Sequence, residues 1–337
     1  MSQINRIKGG LVNQKKSISF TFNGQILTGF EGDTLASALL ANNKKLVGRS
    51  FKYHRPRGPL SLAGHDANTL IQTPTAANRL AEDLMAKDQG TLSGQNYLGS
   101  LKFDYYSLLD RLGRFLPVGF YYRAFFKPRG MWRFWENVIR NAAGLGVANL
   151  EATPRYTDKQ YLFCDVAVIG AGPAGLNAAL TAATGGAEVL LVDEQELLGG
   201  ALTYHRFTLE DDSRAQTLKA LSHAVANHDK IRVLTGATCN AWFSDHYLPV
   251  FQGDRLYKVR AKTCVLATGS SEQPVVFRNN DLPGIVLCSG LERLMMHHGV
   301  CPEGPAVILA GNDDAYLTAI TAAEAGLSIA GVVDLRS

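Results

Sequence analysis

The first strong pattern in the chain is the alternation of apolar and polar positions in "SISFTFNGQILTGFEGD", residues 17–33. It runs on both sides of Asn23-Gly24, a dipeptide that accepts positive φ at both centres of a tight turn, so it predicts a β-hairpin. "TLASALLANN" follows with Leu35, Ala38, Leu39 and Asn42 at helical spacing, and Asp33 is the predicted N-cap. Beyond residue 160 the rhythm changes. "CDVAVIGAGPAGLNAALTAATGGAEVLLVDE" reads as apolar strand, glycine loop, helix and second strand. An alternating stretch over roughly 231–260 leads into "KTCVLATGS", which reads as a strand ending at Ala267-Thr268-Gly269. "PAVILAGNDDAYLTAITAAEAGLSIAGVVDLRS" gives strand, helix and strand once more.

A hairpin followed by a helix opens a β-grasp fold. A strand, glycine loop, helix and strand open a parallel, doubly wound sheet. The expected class is therefore α/β with an α+β N-terminal domain. The expected divisions are a β-grasp domain over 1–95, an aromatic and basic connector over 96–160, a dinucleotide-binding domain over 161–280, and the incomplete start of a second Rossmann-type unit over 281–337. In the connector, Pro117 and Pro128 break an aromatic run into short helical pieces. Rings at irregular spacing suit a segment that wraps along a domain and buries them.

The glycine loop carries the clearest chemistry. Gly170, Gly172 and Gly175 form G-x-G-x-x-G. The first allows a tight turn, the second lets backbone approach a pyrophosphate, and the third allows close helix–strand packing. The helix opening at Pro173 aims its free N–H groups and positive dipole end at that anion. Asp193 lies 18 residues beyond Gly175, where a carboxylate accepts from an adenosine ribose. Asp193 and Glu194 repel a 2′-phosphate, which favours NAD or FAD over NADP. Gly200 ends "LLGG", and Thr268 and Gly269 end the later strand; this order resembles the two-dinucleotide-binding-domain flavoproteins, the family of glutathione and thioredoxin reductases. The second unit's loop, Gly311 to Tyr316, keeps one of three glycines and places Asp313 and Asp314 where a pyrophosphate would sit. A structural role, or recognition of something other than an anion, is expected there.

Composition narrows the class further. The chain has 337 residues and no apolar run long enough for a membrane span. Five scattered cysteines without a C-x-x-C pair fit reduced thiols in a cytoplasm. No cysteine precedes Cys164, so the β-grasp domain lacks ligands for the [2Fe–2S] cluster of plant-type ferredoxins. Residues 1–160 carry 22 Lys/Arg against 11 Asp/Glu, a balance of +11 that suits docking on another subunit or on the acidic half of the chain. No nucleic-acid motif accompanies it. Adjacent His297 and His298 on a short helix point apart and are not read as metal ligands or catalysts; no metal site and no catalytic residue is assigned. The compact basic stretch "SFKYHRPRG" and the residue before it supply Arg49, Lys52, His54, Arg55 and Arg57 for packing, a partner's carboxylates or an anion.

"GDTLASALLANNKKLVGRSFKYHRPRG", "LPVGFYY", "IRNAAGLG", "CDVAVIGAGPAGL" and "AGNDDAY", in this order, resemble the alpha-subunit family of heterotetrameric sarcosine oxidase over nearly the whole chain. The resemblance implies a cluster-free β-grasp domain, NAD at the glycine loop, and sarcosine oxidation at a flavin near a beta subunit. FAD is the alternative at the same site. Gly170, Gly172, Ala174 and Gly175 match the family's loop, and Asp193 and Glu194 its ribose acid and neighbour. Gln195 stands where an arginine is frequent, Ala201 where a hydroxyl is frequent, and His65 and Asp66 depart from a more acidic stretch. The family's chain is far longer, so a truncated or split subunit is expected. Two other readings stand beside this one: a related proline, hydroxyproline or opine dehydrogenase subunit, and a non-catalytic scaffold.

Overall fold

β1 (Asn13–Phe22) and β2 (Gln25–Glu31) pair antiparallel through Asn23 and Gly24, which hold φ of +48° and +76° as the hairpin requires. The computed structural model describes residues 3–65, 68–113, 119, 125, 127–152, 156–206 and 213–336. The helix Leu35–Ala41 packs on the hairpin with every residue buried. Its N-cap is Thr34, whose hydroxyl accepts from Ser37 N at 3.2 Å. This corrects the expectation for Asp33. The Asp33 carboxylate is fully buried and accepts from both Nη atoms of Arg6 (2.7 and 3.2 Å), from Ser37 Oγ (2.8 Å) and from Phe30 N (2.8 Å). A buried charge needs that many donors, and the neighbouring threonine is left to cap.

β3 (Gly48–Arg49) and β4 (Pro56–Arg57) form a short antiparallel ribbon. β5 (Leu70–Gln72), β6 (Arg79–Leu80) and β7 (Thr91–Gly94) complete a five-stranded sheet in the order β2-β1-β7-β5-β6, with β1 and β7 parallel. Phe20, Leu35, Leu39, Val47 and Ile71 form its core. This is the expected β-grasp arrangement.

In the following segment the helix Trp132–Ala143 has no buried residue. Phe103, Tyr105, Trp132, Phe134 and Tyr156 are all exposed. The expectation that the connector buries its rings therefore fails for these residues. "LPVGFYY" and Asp66 fall largely outside the described residues.

The chain divides into two compact units, one of residues 1–152, 272–311 and 319–337, the other of 153–271 and 312–318. The second is built on β8 (Asp158–Ile169), the helix Pro173–Thr184, β9 (Val189–Val192), the helix Arg214–Ala226, β10 (Ile231–Leu234), β11 (Ala237–Cys239), β12 (Tyr247–Gln252) and β13 (Arg255–Leu266). Its sheet order is β10-β9-β8-β13-β12-β11. The first four of these strands are parallel, and β13, β12 and β11 form an antiparallel meander. Apolar side chains cover both faces, as a parallel sheet demands.

The segment "LPGIVLCSGLERLMMHHG" folds within the N-terminal unit. Its helix, Cys288–His298, is capped by the Glu272 carboxylate, which accepts from Cys288 N (3.1 Å) and Ser289 N (2.8 Å). Leu287 N donates to Leu60 O at 2.9 Å. A Cβ on Gly290 would stand 2.7 Å from Leu60 O. β14 (Ala306–Ala310), the helix Asp314–Glu324 and β15 (Ile329–Asp334) follow, with β14 and β15 parallel as expected.

Burial holds the pKa of both His297 and His298 down at about 4, with His298 and Arg293 adding to it for the first and Arg6 for the second. Both are neutral in the fold, while an unfolded histidine titrates near 6.5. The unfolded chain binds the extra protons, so stability should fall as pH drops from about 6.5 to about 4. Urea midpoints across that window test this: His298→Gln should flatten the slope, and an unchanged slope would count against the neutral buried pair.

Candidate nucleotide-binding site and the basic loop

β8 ends at Ile169, and Gly170 turns the chain with φ +99°. A Cβ on Gly170 would lie 2.3 Å from Ala267 O, so only glycine lets the loop sit against the end of β13. A Cβ on Gly175 would lie 1.8 Å from Gly170 O, so the first helical turn presses directly on the loop. Gly172 differs from both. It is the extended N-cap of the helix Pro173–Thr184, and a Cβ there would meet nothing within 4 Å. No side chain caps this helix. Pro173 has no N–H to satisfy, and the Ala174 and Gly175 amides have no acceptor one turn back. Open space at Gly172, next to uncapped amides at the positive end of a twelve-residue helix, suits a pyrophosphate.

Asp193 follows β9 and ties it to the loop. Its carboxylate accepts from Ala171 N and, at 2.8 Å, from Gln195 N. Gly199 N donates to Ala171 O at 2.8 Å, which lays the double glycine over the loop, and a Cβ on Gly200 would lie 3.0 Å from Gly172 Cα. Ala267 N donates to Ile169 O at 2.7 Å, which brings Thr268 beside Gly170. Gly170, Gly172, Pro173, Ala174, Gly175, Asp193, Gly200 and Thr268 thus converge beyond the carboxyl ends of β8, β9 and β13. The order of the sheet reverses there, which is where open α/β sheets place their ligands. Glu194 and Gly269 are exposed at the rim. Sequence reasoning missed Ala171, whose backbone joins the loop to both Asp193 and Gly199; the only signal for it was its place inside the motif.

The basic stretch lies in the N-terminal unit and finds its partners there. Arg49 is buried and donates to Leu101 O (3.0 and 2.8 Å), Lys102 O (3.0 Å) and His54 O (3.0 Å). His54 is buried between Asp104 Oδ2 (2.8 Å) and Ala142 O (2.5 Å). Arg55 holds Asp281 with two bonds of 2.8 and 2.9 Å and also reaches Asp110 Oδ2 at 3.2 Å. Arg57 closes on the same Asp281. The hydrogen bond from Arg55 outweighs partial burial and holds the Asp281 pKa down at about 2. Lys52 lies over the Tyr53 ring, 4.8 Å from its centroid. Arg49, His54, Arg55 and Arg57 thus all hold partners within the N-terminal unit.

Residues 164–298 match the family described as pyridine nucleotide-disulphide oxidoreductase, and residues 15–95 the one described as 2Fe-2S iron-sulfur cluster binding domain. The alpha subunit of sarcosine oxidase from Rhizobium meliloti (strain 1021) is 39% identical over 100% of this chain and 36% of its own length. The chain is a relative of the sarcosine oxidase alpha subunit. It spans about a third of that relative. An opine oxidase subunit of the same strain is 32% identical over 50% of this chain and 38% of its own. L-proline dehydrogenase from P. horikoshii shares the fold, with a TM-score of 0.67 at 22% identity, over 98% of this chain and 56% of that one. The likeness to the cluster-binding family is one of fold and does not extend to thiolate ligands, since residues 15–95 contain no cysteine. The nucleotide domain is of the FAD/NAD(P) type.

The glycines make opposite predictions. Gly175→Ala forces helix and strand apart and should destabilise the nucleotide unit by about 3 kcal/mol or more. Gly172→Ala should leave its melting unchanged and weaken dinucleotide binding by about tenfold or more, because the methyl occupies the space in front of the amides. Calorimetric melting and binding titrations of both variants separate the effects; equal destabilisation by the two would refute the assignment.

Proposed function

We propose that this chain is the nucleotide-holding part of an alpha subunit in a sarcosine oxidase-type complex, working beside a beta flavoprotein subunit in the cytoplasm. The observation that carries the reading is the open, uncapped helix start at Gly172, framed by Asp193 and the double glycine, in a chain whose whole length is so similar to that subunit.

NAD is the preferred occupant and FAD the alternative. The amides of Ala174 and Gly175 would hold the pyrophosphate, Asp193 the adenosine ribose, and Gly200 and Thr268 would line the approach. Glu194 adds negative charge at the rim, which disfavours a 2′-phosphate. When bound, either group supplies the capacity to accept a hydride. This chain's residues at the site bind, orient and neutralise charge. Among the described site residues only Asp193 and Glu194 carry an ionisable side chain, and each Asp193 oxygen, which accepts from one backbone amide, keeps a lone pair for a ribose hydroxyl. On this reading sarcosine oxidation belongs to the partner subunit, and the β-grasp domain, with no cysteine in residues 15–95, holds no cluster. A role in a related opine oxidase is the second reading, favoured by the likeness to the opine oxidase chain over half of this one.

Denaturing the purified protein and separating the released small molecules tests the reading, with iron and labile sulfide assayed on the same sample. Released NAD from a colourless, iron-free protein is the expected result. Stoichiometric flavin would give the site to FAD. About two irons per chain would refute the cluster-free domain. No dinucleotide of either kind would refute the nucleotide-holding role.

A further inference from the structure

The helix Trp132–Ala143 has a clean division of character, and only part of its apolar half is covered: Trp135 and Ile139 are half-buried, with Trp135 4.9 Å from the Phe125 ring. Trp132, Phe134, Trp135, Val138 and Ile139 fall on one half of its circumference, and Arg133, Glu136, Asn137, Arg140 and Asn141 on the other. Trp132, Phe134 and Val138 are 45%, 54% and 41% exposed. A twelve-residue helix is marginal in water and draws its stability from packing its apolar face. The anchorage found here lies at the C-terminal end. Ala142 O accepts from His54, Leu145 O accepts from Asn78 Nδ2 at 2.9 Å, and Val147 N donates to Gln72 Oε1 at 2.9 Å.

Charge at the other end is one-sided. Arg129 and Arg133 flank the N-terminus, the first turn holds no acid, and Met131 offers no capping side chain. Cations beside the positive end of a helix are unfavourable until an anion faces them. Arg140 is matched by Glu136 at 2.6 Å. The polar half otherwise carries two asparagines and one further arginine. A helix lying in a membrane surface carries a strongly basic polar face, so this one fits a protein groove better than lipid. Phe103 and Tyr105, 83% and 77% exposed, flank Asp104, which His54 joins to the end of the helix. Their area counts, because a standard interface takes about 800 Å² from each partner, more than one short helix face supplies.

We propose that this helix is the contact by which the chain seats on a partner subunit. The arc of Trp132, Phe134 and Val138 enters an apolar groove, and a carboxylate of the partner meets the Arg129 and Arg133 end. This rests on the reading of the chain as one subunit of a complex.

The test uses the chain co-expressed with the beta flavoprotein subunit of a sarcosine oxidase-type complex, and compares hydroxyl-radical labelling of Trp132 and Phe134 in the isolated chain and in the assembly. Both rings should be protected on assembly. Phe134→Glu and Val138→Glu should each weaken association about tenfold or more without changing the melting of the isolated chain. Leu150→Glu, at a residue 95% exposed outside the helix, should leave it intact. An assembly that forms with both rings still labelled, or that Phe134→Glu leaves unchanged, overturns this contact and leaves the subunit reading standing. If the wild-type chain forms no assembly, both fall. A parallel arm with vesicles of phosphatidylcholine and phosphatidylglycerol covers the lipid alternative: protection by vesicles without protection by the subunit overturns the proposal in favour of a membrane surface.

Discussion

The nucleotide unit depends on one close approach, the Gly175 Cα against the Gly170 carbonyl, with Ala267 closing on Gly170 from the other side. No side chain fits between these backbones. The approach sets where the helix begins, and so where its unsatisfied amides point. Asp193 and Gly199 then attach to Ala171, in the middle of the same loop, so β9 and the double glycine are positioned by the loop rather than beside it. Backbone donors, an open Cβ position at Gly172 and the Asp193 carboxylate after β9 are the features that a ligand with an extended diphosphate would use.

The N-terminal unit solves a different problem. Residues 15–95 match a cluster-binding family, yet they contain no cysteine. The long segment after the helix Leu35–Ala41 is held instead by buried polar groups. Arg49 spans four carbonyl contacts, His54 bridges Asp104 and Ala142, and Glu82 accepts from Leu60 N (3.3 Å), Ser61 Oγ (3.0 Å) and Gly64 N (3.0 Å). Removing one partner of such a buried charged set costs about 3–5 kcal/mol, because the other is left without compensation. The returning segment is fixed by the same means, through Asp281 between Arg55 and Arg57.

Much of this was legible in the sequence. The hairpin at Asn23-Gly24, the glycine loop, Asp193 and the last strand–helix–strand unit all follow from local rules, because turn chemistry and hydrophobic period act over a few residues. The cap was misplaced by one residue because Asp33 is claimed by Arg6, a contact across 27 positions that no local rule contains. The basic stretch stayed ambiguous for the same reason: Asp281 lies more than 220 positions from both arginines. The connector misled in the opposite sense. Large rings imply burial, yet Trp132 and Phe134 are exposed.

The central claim is that a dinucleotide binds at the start of the helix Pro173–Thr184. Amide-resolved NMR of the isotopically labelled chain, titrated with NAD and in parallel with FAD, measures this most directly. Saturable displacement of the Ala174, Gly175 and Ala171 amide resonances by one of the two, larger than anywhere in the β-grasp domain, is the predicted result. Saturable binding that leaves those three amides unmoved would contradict the account.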